Sequence, residues 1–189
     1  MIHALELAKL IGLFSDPSDG AAHKSGELTL LLLKHSPAPF SRGQFVPGHI
    51  TTTGLVLHPQ QDAVLLIHHR RLERWLLPGG HVEPEDQTIF DAARREVLEE
   101  TGVRLTSGLD APLAGMDVHG IPPGKGEPFH YHHDLIFAFR AASPALIQGP
   151  EVREARWFPV GSLAQDVPES ILFSIRRALR TLALPVSAS

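Results

Sequence analysis

The chain has 189 residues, is 43% hydrophobic and carries a formal net charge of −4, enough to bury one good core and too short for two large domains. With no broad basic footprint, duplex nucleic acid and anionic membranes are poor candidates for the main partner, and small ligands are favoured. The absence of cysteine excludes a disulfide scaffold, a thiol nucleophile and cysteine-ligated zinc.

Leu5, Leu7, Leu10, Ile11 and Phe14 suit a short amphipathic helix. A loop at 15–20 and a second helix at about 26–35, carrying Leu28 and Leu30 to Leu33, follow. Pro37, Pro39 and Pro47 make the next stretch an extended linker. The N-terminus has no basic start before an apolar core, and every apolar run is far too short to span a bilayer, so a cytoplasmic protein is expected. Alternating apolar stretches predict strands at about 49–58 and 63–69, joined by the turn Pro59-Gln60-Gln61-Asp62. Arg70, Arg71 and Arg74 then precede Trp75 and the turn Pro78-Gly79-Gly80.

A helix is predicted at about 89–101. Thr88 and Asp91 have capping-box spacing, and Gly102 suits the left-handed residue that ends a helix. At 100° per residue, Glu96, Glu99 and Glu100 fall within an arc of about 100°, beside the apolar stripe of Ile89, Phe90, Ala93 and Val97. Glu99 and Glu100 lie at the negative end of the helix dipole, and Arg95 precedes Glu99 in the less favourable order for an i,i+4 pair. Two carboxylates about 5 Å apart repel by roughly 3 kcal/mol at an effective dielectric near 20, so the cluster calls for a cation. All-oxygen ligation points to Mg2+ or Mn2+ rather than zinc.

Beyond this helix, Val103–Leu105 and Leu113–His119 suggest further strand, interrupted by Pro112. A Pro/Gly-rich loop at Ile121–Pro128 leads into a strand at Phe129–Arg140. Its alternation puts His130, His132 and Asp134 on one face, with Glu127 upstream. That face is a candidate zinc site or a polar contact for substrate. A helix at 168–184 can cover the sheet with Ile171, Leu172, Ile175, Leu179 and Leu182.

Gly80, followed by Arg95-Glu96-Val97-Leu98-Glu99-Glu100-Thr101-Gly102-Val103, resembles the Nudix box: a glycine, a glutamate after five residues, then seven residues and R-E-U-x-E-E-x-G-U with U apolar. The second half fits at every specified position. In the first half, five residues lead from Gly80 to Asp86 instead of glutamate, and eight separate Asp86 from Arg95, so Asp86 and Glu85 both compete for the first acidic position. The resemblance implies a fold of the α/β class, an α/β/α sandwich with a mixed sheet at about 49–184, a helical extension and linker at 1–48 and a tail at 185–189. The extension is expected to cap the substrate cleft or to form a homodimer.

The implied activity is metal-dependent hydrolysis of a pyrophosphate bond in a nucleoside diphosphate linked to another moiety. Glu96, Glu99, Glu100 and the Gly80 carbonyl would hold Mg2+ or Mn2+. Arg95 would orient the glutamates, and Glu99, Glu96 or a loop acid such as Glu151, which opens the segment 151–158 similar to the family's last core strand, would be the base. Arg70, Arg71, Arg74, His81 and His132 are the candidate substrate contacts. A non-catalytic nucleotide sensor and a zinc hydrolase centred on His130, His132 and Asp134 are the alternatives.

Overall fold

The computed structural model describes residues 4–14, 18–106, 111–124, 126–165, 167 and 169–182. Two helices, α1 (Ala4–Leu13) and α2 (Gly20–His35), precede the first strand, β1 (Gly48–Leu57). β2 (Ala63–His69), β3 (Arg74–Leu76) and β4 (Gly79–His81) lead to α3 (Ile89–Thr101). β5 (Leu113–Ile121), β6 (His130–Arg140) and β7 (Val152–Pro159) complete the sheet, and a 3-10 segment (Val160–Gln165) leads to α4 (Glu169–Thr181). No helix among the described residues is long and apolar enough to cross a membrane.

The seven strands form one mixed sheet in the order β3-β2-β1-β6-β5, with β4 paired to β1 and β7 to β2. β1 and β6 run parallel and every other pairing is antiparallel. The free edge of β1 is shared: β2 pairs it near Leu57, and β4 pairs it at Thr51–Thr53. Side chains alternate along β1. Ile50 and Val56 enter one core with Leu7 and Ile11 of α1, Leu32 of α2 and Ile89, Ala93 and Val97 of α3, whereas Leu55 and Leu57 enter a second core with Ile175 and Ala178 of α4. The sheet therefore lies between two helical layers, the expected α/β/α sandwich, and α1 and α2 share the core under α3.

Local signals set most of these boundaries. α3 has both halves of its capping box, Thr88 with Asp91, and ends on Gly102 at φ 66°. α2 starts at Gly20 rather than near 26, because Asp19 caps it by accepting from the Ala22 N–H at 3.0 Å, ahead of the first apolar residue that periodicity detects. Gly79–His81 is a short strand and not only a turn, since β1 offers it a ladder at Thr51–Thr53. Between 103 and 105 the chain makes a single bridge, Leu105 to Ala141, instead of a strand. Of the helix expected at 168–184, residues 169–181 are helical; 168 and 183–184 lie outside the described residues, as does the tail at 185–189.

α3 can lie close on the sheet because Gly54 has no side chain. A Cβ there would sit 2.3 Å from Val97 Cγ2, so this contact sets the height of the helix above β1.

Candidate active site

With Val97 seated on Gly54, the side of α3 carrying Glu96 and Glu100 is turned toward β4. The Gly79 N–H donates to Glu100 Oε2 at 2.9 Å. A Cβ on Gly80 would lie 2.7 Å from the Glu96 carboxyl carbon, so the missing side chain is the space the Glu96 carboxylate occupies. Gly80→Ala should therefore displace that carboxylate while leaving the sheet intact. The expected result is roughly a 10²-fold loss of turnover, the scale for a displacement of about 1 Å in a reacting assembly, with stability changed by about 1 kcal/mol or less. Steady-state kinetics beside a melting curve checks both.

Arg95 organises the acids around it. Its Nε donates to Asp86 Oδ1 at 3.1 Å and its Nη2 to Asp86 Oδ2 at 3.0 Å, the two-pronged geometry that guanidinium and carboxylate share. Nη2 also donates to the His81 carbonyl at 2.9 Å, and Nη1 to Glu96 Oε1 at 2.8 Å and Glu99 Oε2 at 3.3 Å. Asp86 is buried and also accepts from the Glu83 N–H at 2.8 Å, whereas Glu85 is exposed. Of the two candidates for the first acidic position, Asp86 is the one that sits under Arg95. The hydrogen bonds to Asp86, then those to Glu96, hold the Arg95 proton more tightly than usual. The i,i+4 pair with Glu99 forms despite its unfavourable order, with the Glu99 side chain 57% exposed.

One guanidinium thus faces Asp86, Glu96 and Glu99, while Glu100 receives only a backbone N–H among the contacts described. Burial pushes the Glu100 carboxyl up to about 8, with Glu96, Glu151 and Glu99 adding to the effect against the Gly79 hydrogen bond. Burial also raises Glu96, opposed by Arg95. The half-buried cluster is short of positive charge, and every donor atom it offers is oxygen.

The backbone adds to the donor set. Gly54 N–H donates to the Pro78 carbonyl at 2.8 Å. In an antiparallel ladder that bond makes Thr52–Gly80 the next hydrogen-bonded pair and turns the amide and carbonyl of Gly79 away from β1, as its bond to Glu100 confirms. The Gly80 carbonyl points toward Thr52, and the Gly79 carbonyl is the one on the carboxylate side of β4.

The remaining predicted residues divide between two regions. Glu151 is 79% exposed, lies 4.0 Å from His69 Nε2, and is near enough to Glu100 to raise its pKa. Arg70 is committed to that loop: its N–H donates to the Glu151 carbonyl and its Nε to the Val152 carbonyl, both at 3.1 Å. Arg71 and Arg74 are exposed and act electrostatically on His69, and Arg74 also acts on His119. Arg74 begins β3 instead of lying in a loop.

His81 and His132 belong to the second region. Because Gly80 faces Glu96, its neighbour His81 projects from the opposite side of β4. There it meets His132 and His49, which are register partners on β6 and β1. The trio His130, His132 and Asp134 does share a face, yet it forms no common ligand set. Asp134 accepts from Thr51 Oγ1 at 3.1 Å and Thr53 Oγ1 at 2.7 Å, and His130 Nδ1 is held by the Pro128 carbonyl at 2.8 Å.

Comparison with known proteins identifies the family. The NUDIX domain family model matches residues 48–179. A Bacillus subtilis protein provisionally named 8-oxo-dGTP diphosphatase is 30% identical over 124 residues, covering 66% of this chain and 70% of that one. Diphosphoinositol polyphosphate phosphohydrolase 2 of Rattus norvegicus is 50% identical over 46 residues, 24% of this chain and 25% of that one. The crystal structure of a NUDIX-family hydrolase from Clostridium perfringens superposes with a TM-score of 0.53 at 25% identity, over 71% of this chain and 97% of that chain. With a family-model match over most of its length and a relative of this similarity, the chain belongs to the NUDIX family, whose members hydrolyse pyrophosphate bonds with divalent metal ions.

Proposed function

We propose that this protein hydrolyses the pyrophosphate bond of a nucleoside diphosphate linked to another moiety, using the carboxylates of α3 and Mg2+ or Mn2+. The observation that carries the reading is the cation-poor cluster of Glu96, Glu99 and Glu100, in which one guanidinium serves Glu96 and Glu99 and Glu100 is held by a backbone N–H. An all-oxygen, half-buried set, with the Glu96 carboxylate drawn close against the Gly80 backbone, fits a hard divalent cation. Glu96, Glu99 and Glu100 would hold it, with the Gly79 carbonyl as the backbone donor in place of that of Gly80, which faces β1. Such an ion, when bound, supplies positive charge against the diphosphate oxygens and acidifies water.

The residues of the chain do the rest. Arg95 fixes Glu96 and Glu99, and Asp86 fixes Arg95. Glu99, the exposed member of the cluster, accepts a proton from the attacking water, with Glu96 and Glu151 as the other carboxylates for that step. The water oxygen forms a bond to one phosphorus, the bridging P–O bond breaks, and the leaving phosphate departs with the electron pair. Arg71 and Arg74 are the free-standing cations for the substrate's phosphates, behind which Arg70 ranks because its Nε is occupied. His81 and His132 project from the face of β4 opposite the carboxylates and rank behind the arginines as substrate contacts.

A panel of nucleoside triphosphates, dinucleoside polyphosphates, ADP-ribose, NAD, nucleotide sugars and coenzyme A tests this, with magnesium present and release of phosphate or nucleotide as the readout. Metal-dependent release from at least one member is expected. Tight binding of a member with no release from any would favour a sensor.

A further inference from the structure

On the face of β4 away from α3, His49, His81 and His132 each point one ring nitrogen at a common space, and these atoms all lie within 4.8 Å of one another. The sheet register makes the juxtaposition: His49 is opposite His132 in the parallel β1–β6 ladder, and His81 is opposite Thr51, two residues along β1. The rings sit at centroid distances of 5.1 Å (His49–His81), 4.9 Å (His49–His132) and 5.2 Å (His81–His132).

His49 supplies an independent sign of a ligand. It is 1% exposed, and its Nε2 is buried with no hydrogen-bond partner. Its Nδ1 faces the Gln44 carbonyl at 3.1 Å, a contact that places the proton on Nδ1 and leaves the Nε2 lone pair free. A histidine that donates one ring N–H to a backbone carbonyl and directs the other nitrogen into a cluster of imidazoles is oriented as metal-ligating histidines are.

We propose that His49, His81 and His132 form a binding site for one zinc-class transition-metal ion, separate from the carboxylate site on α3. Three imidazoles are the donor set of a borderline ion, not of magnesium. Tetrahedral zinc with bonds of about 2.0–2.1 Å holds its nitrogens about 3.3 Å apart, a contraction that rotation of the side chains supplies. No fourth His, Cys, Asp or Glu completes the set among the described residues. The ion therefore keeps an open position for water or an anionic oxygen, as in three-ligand zinc sites.

The test is a zinc titration of chelator-stripped protein, by calorimetry, with magnesium in large excess so that the carboxylate site is competed. One equivalent of zinc should bind, and Co2+ in its place should give the visible ligand-field absorption of a tetrahedral nitrogen site. His49→Gln and His132→Gln should each weaken zinc by at least 100-fold. His81→Gln, at a half-buried position that does not threaten folding, should do the same with the melting temperature of the metal-free protein unchanged. Glu99→Gln, which addresses hydrolysis, should retain the full equivalent, so failure of the hydrolase reading would leave this result standing. Absence of zinc binding, or an equivalent that survives His81→Gln and His132→Gln, overturns the proposal.

Discussion

Glu99→Gln should lower turnover by about 10² to 10⁴, on the order of 3 to 5 kcal/mol of barrier, without lowering the melting temperature of the metal-free protein. The substitution keeps the shape of the side chain and removes one charge. What it gives up in the folded state is an exposed i,i+4 pair with Arg95 at 3.3 Å, worth about 0.3–0.5 kcal/mol. What it relieves is repulsion from Glu96 and Glu100, both of whose carboxyls are already driven toward protonation in part by the charge of Glu99. The two effects are similar in size and opposite in sign, so stability should stay within about 0.5 kcal/mol. An acid kept for chemistry behaves this way, harmful or neutral for stability and necessary for rate. A lowered melting temperature with wild-type turnover on the best substrate would assign α3 a purely structural role.

Arg95→Ala should have the opposite balance in stability and a comparable loss in rate. Asp86 is 7% exposed and takes two hydrogen bonds from that guanidinium. Removing the guanidinium leaves a buried carboxylate with only the Glu83 N–H, and breaking a buried pair from one side typically costs about 3–5 kcal/mol. The same deletion frees Glu96 and Glu99 from their common donor, so turnover should fall at least about 10²-fold. Arg95→Lys separates the contributions. It restores the charge but not the planar fork, and should recover part of the stability while remaining slow. Equilibrium denaturation of both variants measures the first effect. A loss below about 1 kcal/mol for Arg95→Ala would mean that Asp86 is not held as described.

The parts of this account that the sequence made legible are local ones. The start and end of α3 follow from Thr88, Asp91 and Gly102, all within the segment they delimit. The placement of three glutamates beside an apolar stripe follows from helical periodicity alone. The pairing of Asp86 with Arg95 was less accessible, because a loop of unknown shape separates them and Glu85 competes equally in sequence. β4 was hidden by its glycines, whose propensity argues for a turn; the ladder offered by Thr51–Thr53 overrides it. The grouping of His49 with His81 and His132 had no sequence signal at all. It depends on the register of a parallel pairing between β1 and β6, and one residue of slip would send His132 to the other face. Periodicity on β6 identifies the histidine face, while the neighbours that β1 and β4 bring to His132 come from the register.

Whether the α3 carboxylates act through a divalent cation on a pyrophosphate bond is decided by turnover of the best panel substrate across a magnesium titration and in excess chelator. Magnesium should bind the free protein weakly and the diphosphate-bound protein tightly, since the ion prefers to retain waters and substrate oxygens in its shell. Turnover should vanish in chelator and return in full when magnesium is restored. Full activity in excess chelator would contradict the account.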